Sequence, residues 1–264
     1  MDTGNLLRVA GWSAAVVGVA QTATAVVALR KGRRDYADAV WGPGLAAVAL
    51  TGAIVGSGDA RRRWTLAAVT TAWAARLERQ MLKRMRDSSE EDPRYKEFLE
   101  GDSTAAVVGK VFVTQGLSQL LVSAPLQLAA ASALPRGARR WLVPAGVTVA
   151  VGGAVVEAIA DEQKAKYSQQ DREDRSDVLD TGVWGWSRHP NYFGDSLVWD
   201  GLWLAGATTW PGVLTLPAPA LMSYLLMFAT GAKRTEKRMQ DRPGYRDYQR
   251  RVAFFFPRPP KDSR

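Results

Sequence analysis

The sequence predicts an all-α protein, a polytopic transmembrane helical bundle of about seven spans. Charged residues make up 23% of the chain, but they are segregated into short blocks with long uncharged stretches between them. Several of these stretches reach the roughly 20 apolar residues that a helix needs to cross a bilayer. Lysine and arginine are also concentrated in alternate loops, as the positive-inside rule expects.

Seven apolar runs give the span count. They are Val9–Leu29, Ala39–Ser57, Trp64–Ala75, Ala105–Leu134, Trp141–Val156, Ser196–Ala207 and Trp210–Ala232. The first, second, fourth and seventh runs are long enough alone, whereas the other three need flanking polar side chains that face protein or extend to the interface. Six spans and a soluble alanine-rich bundle are the alternatives. Four separate runs of span length argue against the soluble bundle.

The basic loops predict an orientation with a cytoplasmic C-terminus. Most of the 35 lysines and arginines fall in the segments Arg30–Tyr36, Arg76–Thr104, Asp161–Arg188 and Lys233–Arg264. The richness in alanine and arginine fits a GC-rich bacterium, and the predicted location is therefore a bacterial inner membrane. The net charge of +9 is then explained by loops that meet anionic lipid headgroups. No nucleic-acid partner is predicted, because no recognition motif accompanies this charge.

The composition also excludes several kinds of site. The chain has no cysteine and one histidine, so disulfides, thiolate nucleophiles and the usual metal-ligand spacings are absent. No metal site is therefore predicted. We expect a single integral membrane domain over residues 1–264, with N-terminal spans in 1–75 and a functional region with cytoplasmic loops in 76–264. The oligomeric state is left open.

Glycine and proline punctuate the predicted helices. Gly52 and Gly56 form a GxxxG pair, which is typical of helices that pack closely in lipid. The Gly42–Gly44 triplet, with its central proline, predicts a kink or the start of a span. The helix that continues beyond Arg76 should end near Asp87–Ser89, and the sequence EEDPRY that follows predicts a turn.

The segment Val151–Lys166 brings polar groups to one helix face near the cytoplasm. Glu157, Asp161 and Lys164 lie at helical spacing on that face. A carboxylate about one turn inside a membrane helix is costly and needs a partner, so Glu157 is a site candidate. The alternative is a side chain that simply extends to the interface at the helix end.

The sequence GVWGWSRHPNYFGD, Gly182–Asp195, carries an unusual density of polar and aromatic groups. Pro190 biases His189 away from helix. A helix that restarts near Tyr192 would offer free N–H groups to an anion such as phosphate. Flat aromatic faces for a ring are also available, from Trp184, Trp186 and Tyr192. The segment therefore predicts a ligand with phosphate, sugar and ring, such as a nucleotide.

These residues resemble the signature of the DUF1295 membrane proteins, which group with steroid 5-alpha-reductases and sterol reductases. The matching elements are TGVWGWSRHPNYFGD (181–195), EAIADEQK (157–164), EDPRY (91–95), Glu236 and the tail RPGYRDYQRRVAFFFP (242–257). The resemblance runs in order from about Trp73 to Pro257. The RHPNYFGD core is highly specific in combination, whereas the N-terminal third is similar only in being hydrophobic.

The resemblance implies an all-helical fold in which NADPH enters from the cytoplasmic side. A hydride would pass to an electron-poor C=C bond of a lipophilic substrate. That substrate would be steroid-, isoprenoid- or fatty-acyl-like. Membrane lipid would surround the protein. By motif position, the implied cofactor contacts are Asp161, Lys164, Trp184, Trp186, Ser187, Arg188, His189, Asn191, Tyr192, Asp195, Glu236 and Tyr248. Charge suits Lys164 and Arg188 to phosphate groups.

The chain departs from the family pattern at the substrate carbonyl. Steroid 5-alpha-reductases are thought to use a Glu/Tyr pair from the N-terminal half, but the first two apolar runs contain neither residue type. This puts a steroid substrate in doubt. Asp200, where an apolar or aromatic residue is expected, and Glu157 are the candidate catalytic acids. Asp200 has the alternative of pairing with a polar group of a neighbouring span.

Three functions remain open from the sequence. The first is an NADPH-dependent membrane reductase. The second is an S-adenosylmethionine-dependent methyltransferase of the isoprenylcysteine or phospholipid type, which has a similar RHPxYxG loop and C-terminal acid. Asn191, Phe193 and the ADEQK element favour the reductase. The third is a membrane protein that keeps the fold without the activity, because a fold alone does not establish function.

Overall fold

The computed structural model describes residues 1–88, 90–173, 175–229 and 231–261. It is 76% helical, and the described residues form no strand, so the predicted all-α class is confirmed. The α-helices are α1 Thr3–Lys31, α2 Trp41–Val55, α3 Ala60–Asp87, α4 Pro93–Phe98, α5 Thr104–Val107, α6 Thr114–Val122, α7 Ala124–Ala130, α8 Leu142–Gln169, α9 Pro190–Gly206, α10 Trp210–Val213, α11 Pro217–Tyr224, α12 Ala232–Met239 and α13 Tyr245–Arg251.

Shorter helical turns of other kinds join some of these helices. Segments of 3₁₀ helix cover Arg34–Val40, Ala138–Trp141 and Gly182–Gly185, and π-helical turns cover Val108–Val113 and Leu225–Ala229. The second π-turn interrupts the seventh apolar run. That run is therefore a series of short helices and not one regular helix.

Aspartates begin three helices by capping their first turn. Asp2, Asp59 and Asp92 each accept a hydrogen bond from a backbone N–H of the helix that follows. A side-chain oxygen at this position satisfies one of the N–H groups that have no partner inside the helix. After Asp92 comes Pro93, which suits the first helical position because it lacks an N–H.

Five segments are long and apolar enough to cross a membrane, judged by length and composition. They are Thr3–Lys31, Arg34–Val55, Thr104–Val122, Ala138–Gln169 and Trp210–Met239. The two other apolar runs lie in α3, whose second half is charged, and in α9, which has 17 residues. A multi-pass membrane protein is supported, and the count of seven spans stays a prediction.

The chain forms two compact units. The first contains Met1–Val143 and Trp203–Ala218, and the second contains Pro144–Leu202 and Pro219–Arg264. These units do not test whether the whole chain forms one membrane domain, so the single domain stays a prediction.

The GxxxG pair of α2 packs against α7 in the first unit, as predicted. A Cβ on Gly56 would lie 2.5 Å from the Ala130 carbonyl oxygen, and one on Gly52 would lie 3.0 Å from the Ala130 Cβ. Nearby, the buried Gln119 side chain donates to the Val40 and Trp41 carbonyls, where α2 begins. Helix α2 starts at Trp41, so the Gly42–Gly44 triplet marks the start of a helix.

The EDPRY element is part of an ionic cluster in the first unit. Asp38 accepts hydrogen bonds from Arg94 and the Tyr95 hydroxyl, while Glu91 pairs with Arg34. We expected a turn here, but α4 forms because Asp92 caps it and Pro93 occupies its first position. Helix α3 ends at Asp87, as predicted. Ser89, the last residue of the predicted end, lies outside the described residues.

Helices α8 and α9 approach each other closely in the second unit. A Cβ on Gly153 would lie 2.5 Å from the Gly194 carbonyl oxygen, and one on Gly194 would lie 2.6 Å from the Glu157 backbone nitrogen. Small residues such as glycine allow helix backbones to approach this closely. This contact places the start of α9 beside the polar end of α8.

Candidate functional site

Glu236 on α12 is the centre of a polar cluster in the second unit. Its Oε1 accepts from Arg188 Nε at 2.8 Å and from the Tyr245 hydroxyl at 2.9 Å. Its Oε2 accepts from Arg188 Nη2 at 3.1 Å and from Gln249 Nε2 at 2.6 Å. His189 Nε2 lies 3.1 Å from Oε1. One carboxylate thus connects the loop that ends in Arg188, His189 and Pro190, called the RHP loop below, with α12 and α13.

Arg188 fastens the loop to the tail through backbone as well as side chain. Its Nη1 donates to the carbonyls of Gln249 and Val252, both at 2.8 Å, while Nε and Nη2 form the two-point pair with Glu236. The guanidinium carbon also lies 5.6 Å from the Phe254 ring centroid. Four of its five N–H groups are engaged in these bonds. The side chain therefore works as an anchor in this structure.

His189 is buried beside the same carboxylate, with 3% of its surface exposed. Its ring stacks on Tyr192 and meets Phe254 edge-on, with centroid distances of 5.8 and 5.4 Å. Burial lowers the pKa of His189 below its usual value, although Glu236 opposes this shift. The imidazole is therefore neutral at pH 7.

The tail holds the loop along its backbone. Ser187 pairs with Ala253 in an isolated parallel bridge, in which the Arg188 N–H donates to the Ala253 carbonyl at 2.9 Å. The buried Ser187 hydroxyl donates to the Phe255 carbonyl at 2.7 Å. These bonds fix the loop immediately before α9 starts at Pro190, two residues earlier than the predicted restart at Tyr192.

A second set of bonds fixes the loop to α8. The Trp184 indole N–H donates to the Ala160 carbonyl at 3.0 Å, and the Tyr248 hydroxyl donates to the Trp184 carbonyl at 2.8 Å. Gln163 accepts from the Val183 N–H at 3.1 Å. Burial is the main reason that the pKa of Tyr248 is raised, so its hydroxyl stays protonated as a donor.

Asn191 has one polar side-chain atom, Oδ1, that takes part in none of these hydrogen bonds. Its Nδ2 donates to Asp161 Oδ1 at 3.4 Å, and since a carboxylate only accepts, this contact fixes the amide orientation. The Oδ1 atom is buried and has no hydrogen-bond partner among the described residues. Most buried polar atoms in proteins have a partner, so such an acceptor needs an explanation.

The predicted site residues fall into three groups in the structure. The first group is bonded within the second unit: the Glu236 cluster and its bonds to the loop include Trp184, Ser187, Arg188, His189, Tyr192, Glu236 and Tyr248, and Asn191 pairs separately with Asp161. Lys164 and Trp186 are exposed, the latter by 50%. Asp195 and Glu157 are buried, and Asp200 is half-buried on α9.

Tyr245 and Gln249 also belong to the cluster, although neither was among the residues predicted from the sequence. Both lie in the tail motif, and both donate to Glu236. Their spacing of four residues would have put them on one face of a short helix, which is the available signal. Their common partner on α12 could not be read from the sequence.

Comparison with known proteins gives the family. Residues 24–252 match the model of a family described as Protein of unknown function (DUF1295). The uncharacterized protein C594.04c of Schizosaccharomyces pombe is 37% identical over 79 residues, which cover 30% of this chain and 23% of the yeast protein. No solved structure matches. Since the family model covers most of the chain, including the RHP loop, α12 and all of α13, the protein belongs to the DUF1295 family.

Proposed function

We propose that this protein is a membrane-bound NAD(P)H-dependent reductase of a C=C bond in a lipophilic substrate. The observation that carries the proposal is the buried Asn191 Oδ1 without a partner in the described chain. An unsatisfied buried acceptor costs about 1–3 kcal/mol, so a ligand donor at this point would be strongly favoured. A carboxamide N–H or a ribose hydroxyl is such a donor, and a nicotinamide nucleotide has both.

The surrounding residues would serve NADPH in two roles: some would contact it directly, and others would hold the loop in position. Asn191 and Asp161 would contact its amide or ribose, and the exposed Lys164 amine would meet a phosphate. Trp186 and Tyr192 would offer ring faces, with Asp195 at the same end of α9. Trp184, Ser187, Arg188, His189, Glu236 and Tyr248 would act as positioning residues, because their polar atoms already hold the loop.

When bound, NADPH would supply a hydride to one carbon of the C=C bond. The other carbon needs a proton, and a neutral carboxylic acid in a water-poor site can deliver it. Glu157 and Asp200 are the candidates in the second unit, since one is buried and the other half-buried. Asp200→Asn or Glu157→Gln should abolish turnover if that residue delivers the proton, and full turnover in either variant excludes it.

The runner-up is an S-adenosylmethionine-dependent methyltransferase. The ion pair between Arg188 and Glu236 favours keeping it, because an RHP loop and a C-terminal acid are what such enzymes have in common with reductases. The reductase proposal also includes a cytoplasmic C-terminus, a location in the bacterial inner membrane and a steroid-reductase-like subtype.

Ligand binding separates the two functions. Purified full-length protein in detergent is titrated with NADPH and, separately, with S-adenosylmethionine. We expect saturable NADPH binding that Asn191→Leu weakens about tenfold, which corresponds to the loss of one buried hydrogen bond. Gln169→Leu, which removes an exposed amide at the end of α8, is the matched control and should bind normally. Binding of S-adenosylmethionine alone would overturn the reductase.

The product can be identified without knowing the substrate. Lipid extracts of cells with and without the gene are compared by mass spectrometry. A species that gains two hydrogens supports reduction, whereas a species that gains a methyl group in place of hydrogen supports transfer. No difference in either class of lipid would contradict an enzymatic role in lipid metabolism.

A further inference from the structure

A second polar site lies on α12 and α13, separate from the start of α9 that carries Asn191. It is an open cleft with a volume of about 440 Å³. Its lining residues are Glu236, Lys237, Gln240, Arg246, Gln249 and Arg250. Four of these, all but Glu236 and Gln249, take no part in the Glu236 cluster.

The cleft carries an excess of positive charge. The Glu236 carboxylate is already satisfied by Arg188, Tyr245 and Gln249. Arg250 is paired with Asp247.

Lys237 and Arg246 have no such compensation. Both are exposed, and neither forms an ion pair with any residue that the structure describes. Two uncompensated cations on one concave surface repel each other and attract an anion.

The donor set selects the chemistry of that anion. A lysine ammonium, an arginine guanidinium and the Gln240 amide present several N–H groups from different directions. Phosphate oxygens accept such groups from several sides, and Arg and Lys are the usual residues that bind them. We propose that this cleft binds a phosphate group, carried either by a soluble phosphorylated ligand or by a lipid headgroup.

Occupancy of the cleft should stabilise the tail. Glu236 and Lys237 are neighbours on α12, and Gln249 both lines the cleft and donates to Glu236. A ligand that binds only the folded arrangement raises its stability in proportion to saturation. The proposal does not depend on the reductase, because it would hold equally for a methyltransferase.

Thermal unfolding of the full-length protein in detergent, followed by tryptophan fluorescence, tests the site. The protein is titrated with inorganic phosphate and with pyrophosphate at constant ionic strength set by chloride. The Lys237→Gln/Arg246→Gln variant is compared with Lys233→Gln/Arg238→Gln, which removes the same charges from exposed positions of α12 outside the cleft. We expect the cleft variant to weaken apparent phosphate affinity about tenfold or more, and the control to match the unmodified protein.

A second arm distinguishes the two sources of phosphate. The same three proteins are unfolded in nanodiscs of phosphatidylcholine with or without phosphatidylglycerol. A stabilisation by phosphatidylglycerol that only the cleft variant loses identifies a lipid headgroup, whereas a lost response to soluble phosphate identifies a soluble ligand. The proposal is overturned if both double variants lose the same response, or if the unmodified protein responds to neither source.

Discussion

Two arginines, the buried Arg62 in the first unit and the partly buried Arg188 in the second, are held by different kinds of partner. Arg62 in the first unit is 1% exposed and donates to the Ala129 and Ser132 carbonyls and the Thr208 hydroxyl. Arg188 in the second unit also donates to two carbonyls, but its main partner is the Glu236 carboxylate.

The two sets of partners differ in whether their charge can change with pH or with a bound ligand. Carbonyl and hydroxyl acceptors do not titrate near neutral pH, so the hydrogen-bond acceptors of the Arg62 side chain keep the same charge. Glu236, with His189 and Tyr245 as further partners, belongs to a cluster whose charge a proton or a ligand can change. We therefore expect pH-dependent stability and ligand binding to depend on the second unit.

Removing the carboxylate from the second unit should have the largest effect. Glu236→Ala leaves the Arg188 guanidinium without its counter-charge and should lower the free energy of unfolding by about 3–5 kcal/mol. Glu236→Gln keeps the shape and part of the hydrogen bonding, so its loss should be smaller. Denaturant unfolding in detergent measures both, and equal losses would show that charge is not what Glu236 contributes.

The arginine of the first unit should show a smaller loss that is independent of pH. Arg62→Met removes the short hydrogen bonds to the Ala129 and Ser132 carbonyls, which then keep only backbone bonds of 3.4 Å, at a cost of about 2–3 kcal/mol in unfolding free energy. Arg61→Met is the control, because Arg61 is exposed. The same unfolding experiment at pH 5 and pH 8 should give the same Arg62→Met loss. A loss that changes between these values would break the distinction between the units.

Adjacent glycines on α8 sharpen the comparison at the level of packing. Gly153→Ala places a Cβ 2.5 Å from the Gly194 carbonyl oxygen and should cost about 1–3 kcal/mol of stability. Gly152→Ala meets no atom within 4 Å and should be neutral or stabilising, because alanine favours helix. Thermal unfolding of the two variants checks this. Equal midpoints would mean that α8 and α9 are not in close contact.

The smallest effect is a pH dependence specific to the second unit. Burial lowers the pKa of His189 in the folded chain, so the unfolded chain binds a proton first, near pH 6.5. Stability should therefore fall as the pH drops from 7 to 5, by at most about 1.4 kcal/mol per pH unit for this group. His189→Gln should flatten that slope in thermal unfolding. An unchanged slope would assign the pH dependence to other groups.

The sequence was a good guide to helices and a partial guide to the site. Apolar runs gave the positions of α1, α2 and α8, because hydrophobic length and charge segregation are local properties. The RHP motif pointed to the right loop. It could not show that Arg188 is held by Glu236, 48 residues away, because that partner depends on how α12 packs.

Two other features were beyond local patterns. The π-turn at Leu225–Ala229 depends on one extra residue per turn within an apolar run, and composition does not register it. Lys237 and Arg246 looked like ordinary members of a charged tail, and only the folding of α12 and α13 brings them to one cleft. The residue types can be read from the sequence, but which of them come together in space depends on how the helices pack.

The hydrogen bonds from Ser187 and Arg188 to Phe255 and Val252 also have a consequence for biosynthesis. A ribosome makes the loop more than sixty residues before it makes these partners, and chains fold from the N-terminal side during synthesis. Translation must therefore reach the last aromatic residues before the loop can be locked. A premature stop codon just before Val252 would spare every long apolar helix and still leave the loop without its final support.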